Sequence, residues 1–228
     1  MPDWKSRLEL LPWLLAMLVV TSCVHEAGHA WVAWRLGDRR EDIRLRKNPF
    51  THRHISWIFT LALPGLLFLF GGPMLGGARP VFVRLAIGPR RMGLVALAGP
   101  VGNFLVGFTS IAVLGLLLHL GVIHPIFGPF GQDKFYFGAL YAITLSFVLG
   151  FLNLIPLPPF DGSRIVAVLL PERIRVLYYK LTIPVLILFV VFAFGAFKGA
   201  EEKVGTYTFK VLLWLHDQVL HFRDWIER

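Results

Sequence analysis

The sequence predicts an all-α polytopic membrane protein, and three observations carry that reading. Of 228 residues, 56% are hydrophobic and 16% charged, against about 25% charged in soluble domains. Four stretches, 54–78, 92–132, 135–160 and 181–197, contain no Asp, Glu, Lys or Arg. A further apolar run, roughly 10–34, is interrupted only by His25, Glu26 and His29. This composition excludes a disordered chain and a disulfide scaffold, and a single cysteine, Cys23, forbids an intramolecular disulfide. A net charge of +9 suggests nucleic acid in a soluble protein. Here the cations sit in short loops between apolar runs, as the positive-inside bias requires, so the expected partner is the lipid bilayer and not nucleic acid.

A helix needs about 20 apolar residues to cross a bilayer core. Segments 10–34, 92–120, 135–155 and 176–197 meet that length, the last with Lys180 near one end, where it snorkels. Lys5 and Arg7 precede the first run, and Val20-Thr21-Ser22-Cys23 loosely resembles a lipoprotein cleavage box. The residues after Cys23 continue as an apolar helix, so 10–34 reads as a retained span. Segment 55–72 is shorter and has Pro64-Gly65 at its centre. Proline removes a helix hydrogen bond and glycine permits a turn, so this piece is expected to be re-entrant, or a short fifth segment.

Loop charge favours re-entry. Lys plus Arg number 7 in 35–53, 4 in 79–91 and 4 in 164–180, against 2, 1 and 5 before the first span, in 121–134 and after 197. With 55–72 re-entrant, the two sides carry 15 and 8 cations, and the richer side is cytoplasmic. If the segment crosses, the contrast nearly vanishes. The expected architecture is therefore four spans plus the re-entrant piece, with both termini external. Residues 207–228 alternate Phe209, Leu212, Leu213, Leu220 and Trp225 with Lys210, Asp217, Arg223 and Glu227. They read as an amphipathic helix in the membrane interface, or packed on its own bundle. The domain division is 1–200 for the membrane unit and 201–228 for this helix.

Three motifs carry chemistry. The first span reads His25-Glu26-Ala27-Gly28-His29. Four residues make just over one helical turn, so both imidazoles share a face and reach one metal ion. Glu26 lies about 100° round the helix, placed to address a water and not the ion. Three ionisable residues in one span cost about 2.5 kcal/mol or more each unless compensated. A proton relay or a polar helix contact uses the same residues. A zinc site needs a third ligand. Asp161 ends a 26-residue charge-free stretch, after Asn153-Leu154-Ile155-Pro156-Leu157-Pro158-Pro159-Phe160 and before Gly162. The prolines prevent regular helix there. Asp before Gly-Ser is also an ordinary helix start. Ala98-Gly99-Pro100-Val101-Gly102-Asn103 offers small residues for close helix packing and a buried amide, Asn103, that binds substrate backbone, orients a ligand or bridges helices.

Together these motifs resemble the site-2 protease family of intramembrane zinc metalloproteases. The order H-E-x-x-H, A-G-P-x-x-N, N-x-x-P-x-P-x-x-D-G is the family's, and the likeness covers about 8–175. It is greatest to the compact bacterial branch without PDZ or CBS domain, through Arg44-Leu45-Arg46-Lys47-Asn48-Pro49 and Gly76-Gly77-Ala78-Arg79-Pro80-Val81. The resemblance implies that His25, His29 and Asp161 hold one zinc ion per chain and that Glu26 is the catalytic base. It makes Asn103 and Asn153 substrate or supporting contacts. It further implies a transmembrane protein substrate, a site near the cytosolic side and a place in the bacterial inner membrane. Oligomeric state is not readable. One departure is the absence of His-x-Asp-Pro after Asn48-Pro49, where the chain has His52 and His54, expected as solvated loop residues. Two rivals remain: a non-catalytic binding protein that retains the fold, and a transporter using the three residues as a proton relay. The intact motif speaks against the first, and the lack of internal repeats against the second.

Overall fold

The computed structural model describes residues 4–72, 74, 76–123, 134–199, 210, 214 and 217–226. Regular structure among these residues is helical. Helix α1 (Trp4–Arg35) is followed by the short α2 (Glu41–Arg46). A π-helical stretch, Trp57–Ala62, leads directly into α3 (Leu63–Leu69). Helices α4 (Pro89–His119) and α5 (Lys134–Asn153) follow, then α6 (Asp161–Ala167), α7 (Glu172–Lys180) and α8 (Thr182–Gly199). Among the described residues, three helical stretches are long and apolar enough to cross a membrane: Trp4–Arg35, Pro89–His119 and Glu172–Val191. Helix α5 is shorter in its apolar part, and α7 and α8 meet end to end at Leu181.

The core is a three-helix bundle of α1, α4 and α5. Close contacts set its direction. Gly28 faces the Ala98 carbonyl and Gly102 faces Val24, so α4 runs antiparallel to α1. Gly107 faces Phe147 and Gly150 faces Phe104, so α5 runs antiparallel to α4. A hydroxyl pair, Thr21 to Ser146 at 2.7 Å, ties the parallel α1 and α5. This up-down-up order brings the end of α1, the start of α4 and the end of α5 together. The cation-rich segments 35–53, 79–91 and 164–180 connect at that same end.

The 57–77 segment leaves and re-enters that end. Gly77 N–H donates to the Phe59 carbonyl at 3.1 Å, Thr60 Oγ1 to the Gly77 carbonyl at 2.7 Å, and Arg79 N–H to the His54 carbonyl at 2.7 Å. Between these points the helix descends along α1 until Arg7 donates to the Leu69 carbonyl at 3.2 Å. Thirteen residues of helix reach about 20 Å, less than a bilayer core of about 30 Å. The turn is not at Pro64-Gly65. Pro64 sits where the π-helical stretch passes into α3, and the helix continues through it. The reversal begins at Gly71, whose φ of 81° suits glycine.

The cation-rich loops are tightly built. Asp38 is buried, and its carboxylate accepts from Arg40 Nε (2.8 Å), Arg40 Nη2 (2.6 Å) and Arg84 N–H (3.0 Å). The Arg40 guanidinium holds this carboxyl at about 2 despite its burial. His52 is exposed, but His54 is fully buried, its Nε2 donating to the Arg46 and Asn48 carbonyls at 3.0 and 3.2 Å. The expectation of two solvated histidines therefore fails for His54, which organises the loop.

At the C-terminus, 210, 214 and 217–226 are helical, while Phe209, Leu212, Leu213, Glu227 and the domain division at 200–201 lie outside the described residues. Val219 is fully buried among Leu114, Leu118, Tyr136, Leu140 and Ile143, and Phe222 packs over Gly115. One face of this helix therefore docks on α4 and α5, while Trp225 is exposed. Val219→Asp, burying a carboxylate there, is expected to cost on the order of 2 kcal/mol or more. The check is thermal unfolding in detergent, where an unchanged midpoint would contradict the docking.

Candidate metal centre

Helical spacing brings His25 and His29 to one face of α1, and both are buried. Their Nε2 atoms lie 3.0 Å apart. Asp161, at the first position of α6, aims Oδ2 at both, 3.0 Å from His25 and 3.1 Å from His29. The chain returns 132 positions downstream to do this. Helix α5 ends at Asn153, and the proline-containing stretch turns the backbone so closely that Gly162 lies against the Leu154 and Ile155 carbonyls. A Cβ at Gly162 has no room there. Asp161 Oδ1 faces Arg164 Nη1 at 3.7 Å, and the carboxylate stands at a helix start, where the dipole favours it.

The other imidazole nitrogens are committed. His29 Nδ1 is 2.7 Å from the Val95 carbonyl, which only accepts, so Nδ1 carries the proton. Asn103 sits with its NH2 toward the Thr21 carbonyl (3.1 Å) and its oxygen toward His25 Nδ1 (3.2 Å) and Gly150 N–H (3.3 Å). That orientation satisfies every partner, and it makes His25 Nδ1 a donor as well. Both Nε2 lone pairs then converge with a carboxylate oxygen within 3.1 Å. Three converging lone pairs without a proton between them repel unless a cation sits there. Two imidazoles, one carboxylate and an outer ring of oriented acceptors match the donor chemistry of zinc. Among the described residues, His25, His29 and Asp161 are the group able to hold a metal.

Glycine makes the space. A Cβ at Gly99 would lie 2.5 Å from His25 Cε1 and from His29 Cε1 and Nε2. The A-G-P-x-x-N segment of α4 is thus the wall against which both rings rest. Glu26 lies to the side, its Oε2 accepting from Val81 N–H at 2.7 Å. A cavity of about 160 Å3 opens beside His25 and Glu26, bordered by Ser22, Gly77, Asn103 and Asn153. Asn153 donates from Nδ2 to the Leu149 carbonyl at 2.9 Å. All six residues singled out from the sequence therefore gather here. Sequence reading missed the backbone groups: the Val95 and Thr21 carbonyls and the Val81 N–H carry no side-chain signature.

A buried His-His-Asp set beside a glutamate, inside a bundle of long apolar helices, defines a metalloprotease-type centre in an integral membrane protein. The profile of peptidase family M50 matches residues 132–195. YwhC of Bacillus subtilis (strain 168), by name a candidate zinc metalloprotease, is 36% identical over 173 residues, 74% of each chain. Rip2 of Mycobacterium tuberculosis (strain H37Rv), named in the same way, is 30% identical over 205 residues, 90% of this chain and 73% of that one. Rip2 of Mycolicibacterium smegmatis is 32% identical over 152 residues, 66% of this chain and 52% of its own. No solved structure matches the chain. The chain belongs to peptidase family M50, the site-2 family of intramembrane zinc metalloproteases.

Two outcomes follow from the packing. Gly99→Ala is expected to push both imidazoles apart and abolish stoichiometric zinc binding, read by metal analysis of purified protein. Asn103→Leu should weaken zinc about 10- to 100-fold, because His25 Nδ1 loses its acceptor; chelator competition measures it.

Proposed function

We propose that the chain hydrolyses a peptide bond within or near the transmembrane segment of a single-span membrane protein, with one zinc ion per chain. His25, His29 and Asp161 hold the ion, and Glu26 is the catalytic base. The observation that carries this reading is the convergence of the two Nε2 atoms and Asp161 Oδ2 within 3.1 Å beside the Glu26 cavity.

Bound zinc supplies a Lewis acid that polarises the scissile carbonyl and brings the pKa of water toward about 7. The protein residues do the rest. Val81 N–H holds Glu26 Oε2, which leaves Oε1 for the cavity. There it accepts the proton of the attacking water and then delivers it to the leaving amine nitrogen. Asn103 keeps the His25 proton on Nδ1, and Asn153 borders the space where the substrate backbone lies. A membrane helix hides its carbonyls in its own hydrogen bonds, so the substrate must unwind. Non-helical backbone at 76–84 and 154–160 gives it partners for an added strand. Helix-destabilising residues near the cut lower the cost.

In this reading the bundle has four spans, with α5 among them and 57–77 re-entrant from the cytoplasmic side of a bacterial inner membrane. Cations ring the tryptophans at the end of α1: Arg35 stacks on Trp31, and Arg39 and Lys47 on Trp34, each at 4.7 Å. Tryptophan with cations marks a membrane–water boundary. His25 precedes Trp31 by six residues, so the site lies about 9 Å inside that boundary along the helix. The division remains 1–200 for the protease unit and 201–228 for the amphipathic C-terminal part, of which Val219 and Phe222 pack on the bundle. The non-catalytic alternative retains no reason for a paired carboxylate beside three converging ligands.

The test is Glu26→Gln in full-length protein in liposomes. Zinc content should stay that of the wild type while cleavage falls about a hundredfold or more. A variant that cuts normally refutes the assignment of the base, and a wild type that binds no zinc refutes the reading as a whole.

A further inference from the structure

Glu26 reaches the cavity from a helix whose side chains rotate freely unless something holds them, and the holder is a backbone N–H on another segment, Val81. That segment has no regular secondary structure, so its position depends on what grips it on either side of Val81. On one side Arg46 Nη1 donates to the Arg79 and Pro80 carbonyls at 3.0 and 3.3 Å. On the other, Arg40 Nη2 donates to the Phe82 carbonyl at 2.6 Å, and Arg84 N–H donates to Asp38 Oδ2 at 3.0 Å. Asp38 organises this second grip twice over. It takes Arg84 N–H directly, and it aims the Arg40 guanidinium through paired bonds to Nε and Nη2. The Val81 side chain is buried with Ala30, Ala33, Ile43 and Val95, so the strap lies flat against α1.

We propose that Asp38 is a positioning residue for Glu26: it clamps the 79–84 strap through Arg40 and Arg84, so that Val81 N–H fixes the carboxylate's direction. The proposal rests on the proteolytic reading above. Asp38 touches neither the metal ligands nor the cavity. It lies twelve residues past Glu26, beyond the end of α1, and no motif flags it. A buried carboxylate that joins two cation-rich loops has an obvious stabilising role, and the positioning role differs from it in what it predicts.

The experiment compares wild type, Asp38→Asn, Glu26→Asp and the double variant, all full-length and zinc-loaded in liposomes. The probe is a single-span test protein carrying Gly-Pro near its cytoplasmic end. Asp38→Asn is close in size, so it should fold and keep the wild-type zinc content. Its kcat should fall about tenfold with KM within about twofold, because a misdirected base hurts the chemical step and not binding. Hydrogen exchange of 79–84 should quicken in the metal-free protein while that of 20–30 does not change. Glu26→Asp shortens the side chain and already loses Val81 N–H, so adding Asp38→Asn should change kcat less than about twofold, which is non-additive. Additive effects, an unchanged kcat, or a kcat that falls only with zinc content or folded fraction would each overturn the proposal. A zinc-loaded wild type that cuts nothing would instead overturn the proteolytic reading.

Discussion

The close contact of α1 with α4 is the constraint on which the site depends. Gly28 meets the Ala98 carbonyl, Gly102 meets Val24, and Gly99 lies directly under both imidazoles. In lipid there is no hydrophobic driving force between helices, so small residues that let backbones approach become the chief adhesive. Here the same approach has a chemical result. With α4 this near, its Val95 carbonyl and Asn103 amide come within hydrogen-bond reach of the two Nδ1 atoms. A wider interface would leave the rings free to rotate and to choose either tautomer. Packing therefore sets protonation, and protonation sets which lone pairs remain for a metal.

The third member of the cluster obeys a different logic. Asp161 belongs to a segment that regular helix would carry away from the site. Non-helical backbone from 154 to 160 folds α6 back against α4, with Gly93 and Val168 in contact near that junction. A carboxylate in such surroundings is expensive without partners. With both imidazole protons on Nδ1, the two Nε2 lone pairs and Oδ2 need a shared cation to offset the desolvation of the carboxylate, and Arg164 stands 3.7 Å from its other oxygen.

Much of this was legible in the sequence because it is written in side-chain types at fixed spacings. His25 and His29 share a face by helical geometry alone, and three prolines before Asp161 announce irregular backbone. The cation imbalance favoured a re-entrant 55–72; the structure pairs Gly77 with Phe59 and Thr60, and the number of spans belongs to the proposal. The location of the turn was not legible, since Pro64 reads as a breaker, whereas the helix continues through it from the π-helical stretch into α3. The burial of His54 was illegible for a related reason: its partners are the Arg46 and Asn48 carbonyls, and carbonyls belong to every residue. The docking of Val219 on α4 and α5 was one of two options that amphipathic periodicity leaves open.

Backbone groups also give the cation-rich loops that follow α1 a role beyond topology. Arg40 and Arg46 direct their guanidinium groups at carbonyls of 79–82, and Arg40 shares its charge with buried Asp38. A strap without regular secondary structure has carbonyls and no ladder to satisfy them. Guanidinium, with five donors in a rigid fork, grips such a strap at several points, where an ammonium would act as a single point charge. The same arginines thus supply the cation excess of this end and hold the segment whose Val81 N–H meets Glu26.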